Sequence, residues 1–88
     1  MDHPYEIGGL YQIRTVTHIV TGKVLSVGPL EIELAEAAWI ADTGRYMQAV
    51  EKAEYHEVEP YPADRKVIVA RSTVIDAVQI PSLPRNQK

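Results

Sequence analysis

The triplet Asp42-Thr43-Gly44 has the clearest capacity for chemistry in this sequence, and it follows an apolar run, WIA, at positions 39–41. Two such aspartates, one from each of two subunits, could share a proton and so activate water for hydrolysis. Aspartate is also favoured at helix N-caps, where its carboxylate accepts hydrogen bonds from backbone N–H groups of the first turn. The triplet therefore predicts either an acid–base site or the start of a helix.

Two features favour the helix start. The triplet resembles the Asp-Thr-Gly of retroviral-type aspartic proteases, but that family places a small residue after it, where this sequence has Arg45. The family also closes its site with a second apolar-apolar-Gly motif, and no glycine follows Gly44. We predict that Asp42 is a helix N-cap, with a retropepsin-like dimeric protease as a minor alternative.

The other residue types that commonly do chemistry form no recognisable pattern. His3, His18 and His56 are not at metal-ligand spacing, and the chain has no cysteine. Gly8-Gly9 precedes a strand rather than a helix, so the geometry of a phosphate loop is missing. The sequence predicts no enzyme, no metal site and no cofactor.

Arginines and tyrosines could instead bind a ligand. Arg14 and Arg71 lie in β segments and could contact phosphates in the pore of a ring, while Tyr11 could stack on a base. The competing interpretation of each arginine is a solvated surface charge. The net charge of −3 argues against bulk binding of nucleic acid but leaves a local basic pocket open. Trp39 and Tyr46 are predicted core or interface anchors.

The elements that must position these residues begin with three strands. Alternating, β-branched segments predict antiparallel strands in LYQIRTVTHIV from position 10, KVLSV from 23 and LEIELAEA from 30. Thr21-Gly22 and Gly28-Pro29 are the predicted connections. In the third strand, Leu30, Ile32 and Leu34 are expected to point inward.

A helix and further strands complete the pattern. Apolar residues at helical spacing predict a helix over about 43–52. KVIVAR from position 66 and VIDAVQI from 74 predict two more strands, and a short strand at 55–59 is an additional option. The two prolines of PSLPRNQK predict an extended tail at 81–88 after a single domain at 1–80.

The predicted fold is mainly β: a small Sm-like or SH3-like antiparallel barrel of about five strands, with one short helix inserted between strands three and four. A barrel removes the exposed edges that an open sheet would leave. The chain has 88 residues and no disulfide, and small domains without such staples often gain stability by oligomerising. We therefore expect a homo-oligomer.

Two segments resemble the motifs of Sm/LSm-like proteins. TGKVLSVGPLEIELAEA at 21–37 resembles the first Sm motif, in which a glycine opens a bent strand and an apolar-x-acidic-Ala segment closes it. KVIVARSTVIDAV at 66–78 resembles the second, two short strands around an Arg-Gly turn. The resemblance covers about half of the chain and implies a barrel and ring assembly.

The departures from this family concern its RNA site. The Asp and Asn that build the base pocket are replaced by GPLE at 28–31, and Ser72 replaces the glycine after Arg71. The usual N-terminal helix has no counterpart before Leu10, and a helix is predicted between the two motifs instead. The resemblance therefore does not imply a uridine-binding site.

A second resemblance runs over most of the chain. AAWIADTGRY at 37–46, EVEP at 57–60 and the ending LPRNQK at 83–88 are similar to a family of small, uncharacterised proteins of phages and prophages. This resemblance implies a viral context and brings no known activity.

Together these observations predict a non-enzymatic, homo-oligomeric, ring-forming protein of phage type with a structural or recruiting role. Its expected partners are further copies of itself, with another phage protein, RNA or a small signalling nucleotide as alternatives. No apolar run approaches 18 residues and the N-terminus lacks signal-peptide features, so we expect no membrane and a location in the host cytoplasm or virion.

Overall fold

The computed structural model describes residues 3–88, so the first two residues of the predicted 1–80 domain lie outside the described part. The chain is mainly β, with one short α-helix between the third and fourth strands, as predicted. The elements in chain order are β1 (Leu10–Thr15), β2 (Ile19–Val27), β3 (Glu31–Asp42), α1 (Tyr46–Lys52), β4 (Glu57–Pro60), β5 (Val67–Ala70), a 3₁₀ turn (Arg71–Thr73) and β6 (Val74–Gln79).

All strand pairs are antiparallel, in the order β4-β3-β2-β1-β6, and β5 also pairs with β3. Four strand spacings separate β5 from β6 through this ladder, which would be about 19 Å in a flat sheet. The 3₁₀ turn that joins them has three residues and spans only about 6–8 Å. The sheet therefore curls until the end of β5 lies close to the start of β6 at this turn, which makes the fold barrel-like, while the two strands do not pair with each other.

The inside of the curled sheet holds the larger core. Every second residue of β1 and of the first half of β3 is buried there, including Ile13, Ile32 and Leu34 with no exposed surface. Gly22 lets β2 and β3 approach closely, because a Cβ at this position would lie 3.0 Å from the Cβ of Leu34. The two strands therefore pack tightly at the bend that encloses this core.

The first connection of the sheet differs from the prediction. Thr21 and Gly22 lie inside β2, and the turn between β1 and β2 is at 16–18. There the Thr15 hydroxyl accepts hydrogen bonds from the backbone N–H groups of Thr17 and His18, at 3.3 and 3.1 Å. Hydroxyl side chains can form such turns without glycine or proline. The segment LYQIRTVTHIV therefore contains no turn signal and is predicted as one strand.

A second, smaller core lies on the opposite face of the sheet, beneath α1. Ala38 and Ile40 of β3 pack there with Ala49 of the helix and with Tyr55 and Val58. Both faces of the central strands are therefore covered. Outward-facing strand positions near the helix are buried as a result.

Two predicted details of the elements are wrong. The helix begins at Tyr46 rather than near position 43, because the preceding residues form a turn. Leu30 is 76% exposed instead of inward, since it lies in the turn before β3 and not in the strand. Ile32 and Leu34 do point inward, so the alternation holds once the strand begins.

Residues 81–88 contain no helix or strand and lie against β3 and β4. The Arg85 guanidinium donates to the backbone oxygens of Ala37, at 2.6 Å, and Tyr61, at 2.8 Å. Lys88 exchanges two backbone hydrogen bonds with Val58 of β4. The extended segment thus returns across the sheet and covers its β4 edge.

Candidate functional site

The Asp42-Thr43-Gly44 triplet forms the turn between β3 and α1. The Asp42 carboxylate accepts a hydrogen bond from the backbone N–H of Gly44 at 2.8 Å, and the Thr43 hydroxyl donates to the Gly44 carbonyl at 3.0 Å. The helix N-cap is Arg45, with no side-chain cap. The predicted N-cap role of Asp42 is therefore wrong, because the carboxylate closes an Asx turn two residues before the helix begins.

Gly44 is required by the geometry of this turn. Its φ of +68° lies in the left-handed region, which favours glycine. A Cβ here would also lie 2.6 Å from two atoms of the His56 ring. The conformational freedom of glycine and the contact with His56 explain the triplet as a structural turn.

Arg14 is held on the helix-covered face of the sheet by a carboxylate. Its guanidinium donates to both Asp76 oxygens, at 3.3 and 2.5 Å, and lies 5.8 Å from the ring centroid of Tyr46. The hydrogen bonds to Asp76, followed by its negative charge, raise the pKa of Arg14. This arginine therefore has an intramolecular partner in Asp76.

Arg71 connects two turns. Its side chain donates to the carbonyl of Gly28 at 2.8 Å, and its backbone N–H donates to the carbonyl of Leu30 at 2.9 Å. Its charge also acts on Tyr5, where it partly offsets the effect of burial, which raises the pKa of that phenol. The arginine thus holds the 3₁₀ turn against the β2–β3 turn.

Tyr11 belongs to the inner core instead of a base-stacking surface. Only 6% of it is exposed, its hydroxyl accepts from the backbone N–H of Glu6 at 2.9 Å, and its ring lies 5.5 Å from that of Tyr5. A stacking role for Tyr11 is disfavoured because the residue is buried in the inner core. Since Tyr11 and Arg14 are three residues apart on one strand, they also lie on opposite faces of the sheet.

The two predicted anchors differ in their surroundings. Tyr46 attaches α1 to the sheet, because its hydroxyl accepts from the side-chain amide of Gln12 at 2.9 Å. Trp39 is 44% exposed, so it is not a core residue, and its predicted interface role stays a prediction.

A buried polar cluster beneath α1 was not predicted. Gln12 has no exposed surface, and its side-chain oxygen accepts a hydrogen bond from the Tyr55 hydroxyl at 2.9 Å. Burial, with a smaller contribution from Tyr46, raises the pKa of Tyr55 to about 12. The cross-strand neighbour Thr21 is also fully buried, and its hydroxyl has no partner among the described residues. The hydrogen bonds of Gln12 to Tyr46 and Tyr55 hold the helix on the sheet.

Two strand edges remain open within residues 3–88. β5 pairs only with β3 and β6 only with β1, so each strand has one side without a strand partner. Ile68 of β5 is 59% exposed and Ile75 of β6 is 57% exposed. The third terminal edge, that of β4, is covered by the Val58–Lys88 backbone pair. The unpaired β5 and β6 edges are the candidate interaction site.

No protein-family model, curated protein or solved structure matches this chain. In the described part of the chain, no helix is long and apolar enough to cross a membrane. The same residues contain no group of three or more His, Cys, Asp or Glu side chains placed to hold a metal ion.

Proposed function

We propose that this protein is a non-enzymatic module that assembles with copies of itself through the unpaired edges of β5 and β6. The observation that carries the proposal is the contrast among the terminal edges. Among residues 3–88, β4 is covered by residues 85–88, whereas β5 and β6 each have one side without a strand partner. Natural proteins usually protect an exposed edge strand, so an apolar edge left open is suited to pairing with another chain.

The two open edges belong to different strands, which determines the kind of assembly. If β5 of one copy pairs with β6 of the next, the interface is head-to-tail, and each copy uses its β5 edge for one neighbour and its β6 edge for the other. Such an interface closes into a ring when the rotation between copies divides a full turn. The Ile68 and Ile75 side chains, 59% and 57% exposed, would add buried apolar area to the backbone pairing.

The role of the assembly in this proposal is structural or recruiting. A ring presents the same surface several times, which increases avidity for a repeated partner. The viral context of this proposal stays a prediction, and it rests on the resemblance of AAWIADTGRY, EVEP and LPRNQK to small phage proteins. Binding of RNA or a small nucleotide has less support, because Arg14 is paired with Asp76, Arg71 holds the Gly28 carbonyl, and Tyr11 is buried.

Introducing a charged side chain at each open edge tests the proposal. We expect Ile68→Lys and Ile75→Lys each to reduce the native mass toward that of a single 9.8 kDa chain, measured by light scattering on a sizing column. Ile7→Lys is the matched control, since Ile7 is 60% exposed and lies outside the strands. Circular dichroism establishes that each variant is folded. Native masses that all equal the wild-type mass would overturn edge pairing.

A further inference from the structure

The C-terminal segment is bound to the β4 edge through its backbone at one residue, Lys88. The backbone N–H of Lys88 donates to the carbonyl of Val58 at 3.0 Å, and the Val58 N–H donates to a backbone oxygen of Lys88 at 3.1 Å. This reciprocal exchange is the hydrogen-bonded pair of an antiparallel ladder. At this position the edge of β4 binds the segment through backbone groups, independently of the Lys88 side chain.

One side chain fixes the position of this peptide. The Arg85 guanidinium reaches the carbonyls of Ala37 and Tyr61, at 2.6 and 2.8 Å, and the Ala37 carbonyl also accepts from the Tyr61 N–H at 2.9 Å. Hydrogen bonds from a charged donor are stronger than neutral ones. Three residues of extended chain span about 10 Å, which sets the distance between the arginine and the pairing residue.

A cavity lies where the segment meets the folded body. It has a volume of about 180 Å³ and is lined by body residues, Ala53, Tyr55 and Val58, together with segment residues that include Leu83 and Pro84. The recognition elements, the Val58 backbone and the carbonyls of Ala37 and Tyr61, all belong to the folded body and not to the segment.

We propose that the β4 edge is a recognition site for an extended peptide of a partner protein, one with an arginine three residues before the residue that pairs with Val58. Residues 83–88 are its intramolecular ligand and occupy the site until such a peptide displaces them. Strand addition to a sheet edge supplies affinity through the main chain, and the arginine supplies specificity. This site is separate from the β5 and β6 edges and does not depend on assembly through them.

The test uses full-length variants in which the binding of residues 83–88 to the β4 edge is weakened. A tethered segment acts at a millimolar effective concentration, so it competes strongly with any free peptide. We expect a fluorescent peptide with the sequence of residues 80–88 to bind the Arg85→Ala chain, and to bind the wild-type chain at least ten times more weakly. Arg85→Lys keeps the charge but cannot donate to both carbonyls through a guanidinium, so the Arg85→Lys chain should bind the peptide with intermediate affinity.

The controls distinguish the outcomes. The same peptide with alanine in place of its arginine should lose at least tenfold in affinity for the Arg85→Ala chain, and Val58 should show the largest amide shift on binding. Equal binding of the two peptides, or no binding to folded Arg85→Ala and Arg85→Lys chains, would overturn the proposal. A fall in native mass on adding excess peptide would also overturn it, since the occupant would then be a segment exchanged between copies.

Discussion

The ring of His56 lies against the backbone of Gly44, so that a Cβ on Gly44 would lie 2.6 Å from the ring. This contact packs the turn before α1 against His56, the residue that directly precedes β4. It also explains why the Asp-Thr-Gly triplet includes a glycine, together with the left-handed φ of +68°. The triplet that suggested an acid–base site is a connector between β3 and the helix.

Gly44→Ala should destabilise the fold by about 1–2 kcal/mol, because alanine is strained at positive φ and its Cβ would displace the His56 ring. Gly28→Ala is the control, since its Cβ would be 3.7 Å from the nearest atom and its φ is not in the left-handed region. Urea denaturation measures both. Equal stability of the two variants would show that the turn tolerates a side chain.

The Asx turn predicts a difference between two substitutions of Asp42. Asp42→Asn keeps an oxygen that accepts from the Gly44 N–H, so its melting temperature should match that of the wild type. Asp42→Ala removes the acceptor and should cost about 1 kcal/mol. Thermal unfolding distinguishes them. Peptide cleavage by the wild type that Asp42→Asn abolishes would instead support the protease alternative.

Tyr55 predicts a loss of stability in alkali. Its pKa is raised to about 12 in the folded chain, against 10.0 for the free phenol, so the unfolded chain loses this proton first. Stability from this group is complete below pH 10 and falls as the pH rises from 10 to 12. Tyr55→Phe should be less stable at pH 7, because Gln12 loses a donor, and should fall less steeply above pH 10. Parallel pH profiles in urea denaturation would contradict this role for Tyr55.

The sequence predicted the class of fold and most strand positions because alternation reports the inner core directly. Ile13, Ile32 and Leu34 are all buried there, as alternation requires. Gln12 was hidden from this reasoning, since alternation assigns one core and does not show that a helix covers the other face. The contacts of Arg85 at the β4 edge could not be predicted, because they are made with backbone carbonyls that are distant in sequence and carry no side-chain signature.

The two candidate ligand-binding arginines should differ in their structural effect. Arg14→Ala should leave the melting temperature nearly unchanged, because exposed ion pairs contribute little to stability. Arg71→Ala should lower it clearly, since the variant leaves the Gly28 carbonyl without its charged donor. Thermal unfolding of both variants checks this difference. A salt-dependent affinity of the wild type for single-stranded RNA, lost in Arg71→Ala, would instead support the nucleic-acid alternative.

The most direct test of assembly through the open edges is the native mass of the wild-type protein, measured by light scattering on a sizing column at low and high salt. Backbone pairing and apolar contacts are little screened by salt. We therefore predict a defined multiple of the 9.8 kDa chain mass that is the same at both salt concentrations. A mass of one chain under both conditions would contradict the account.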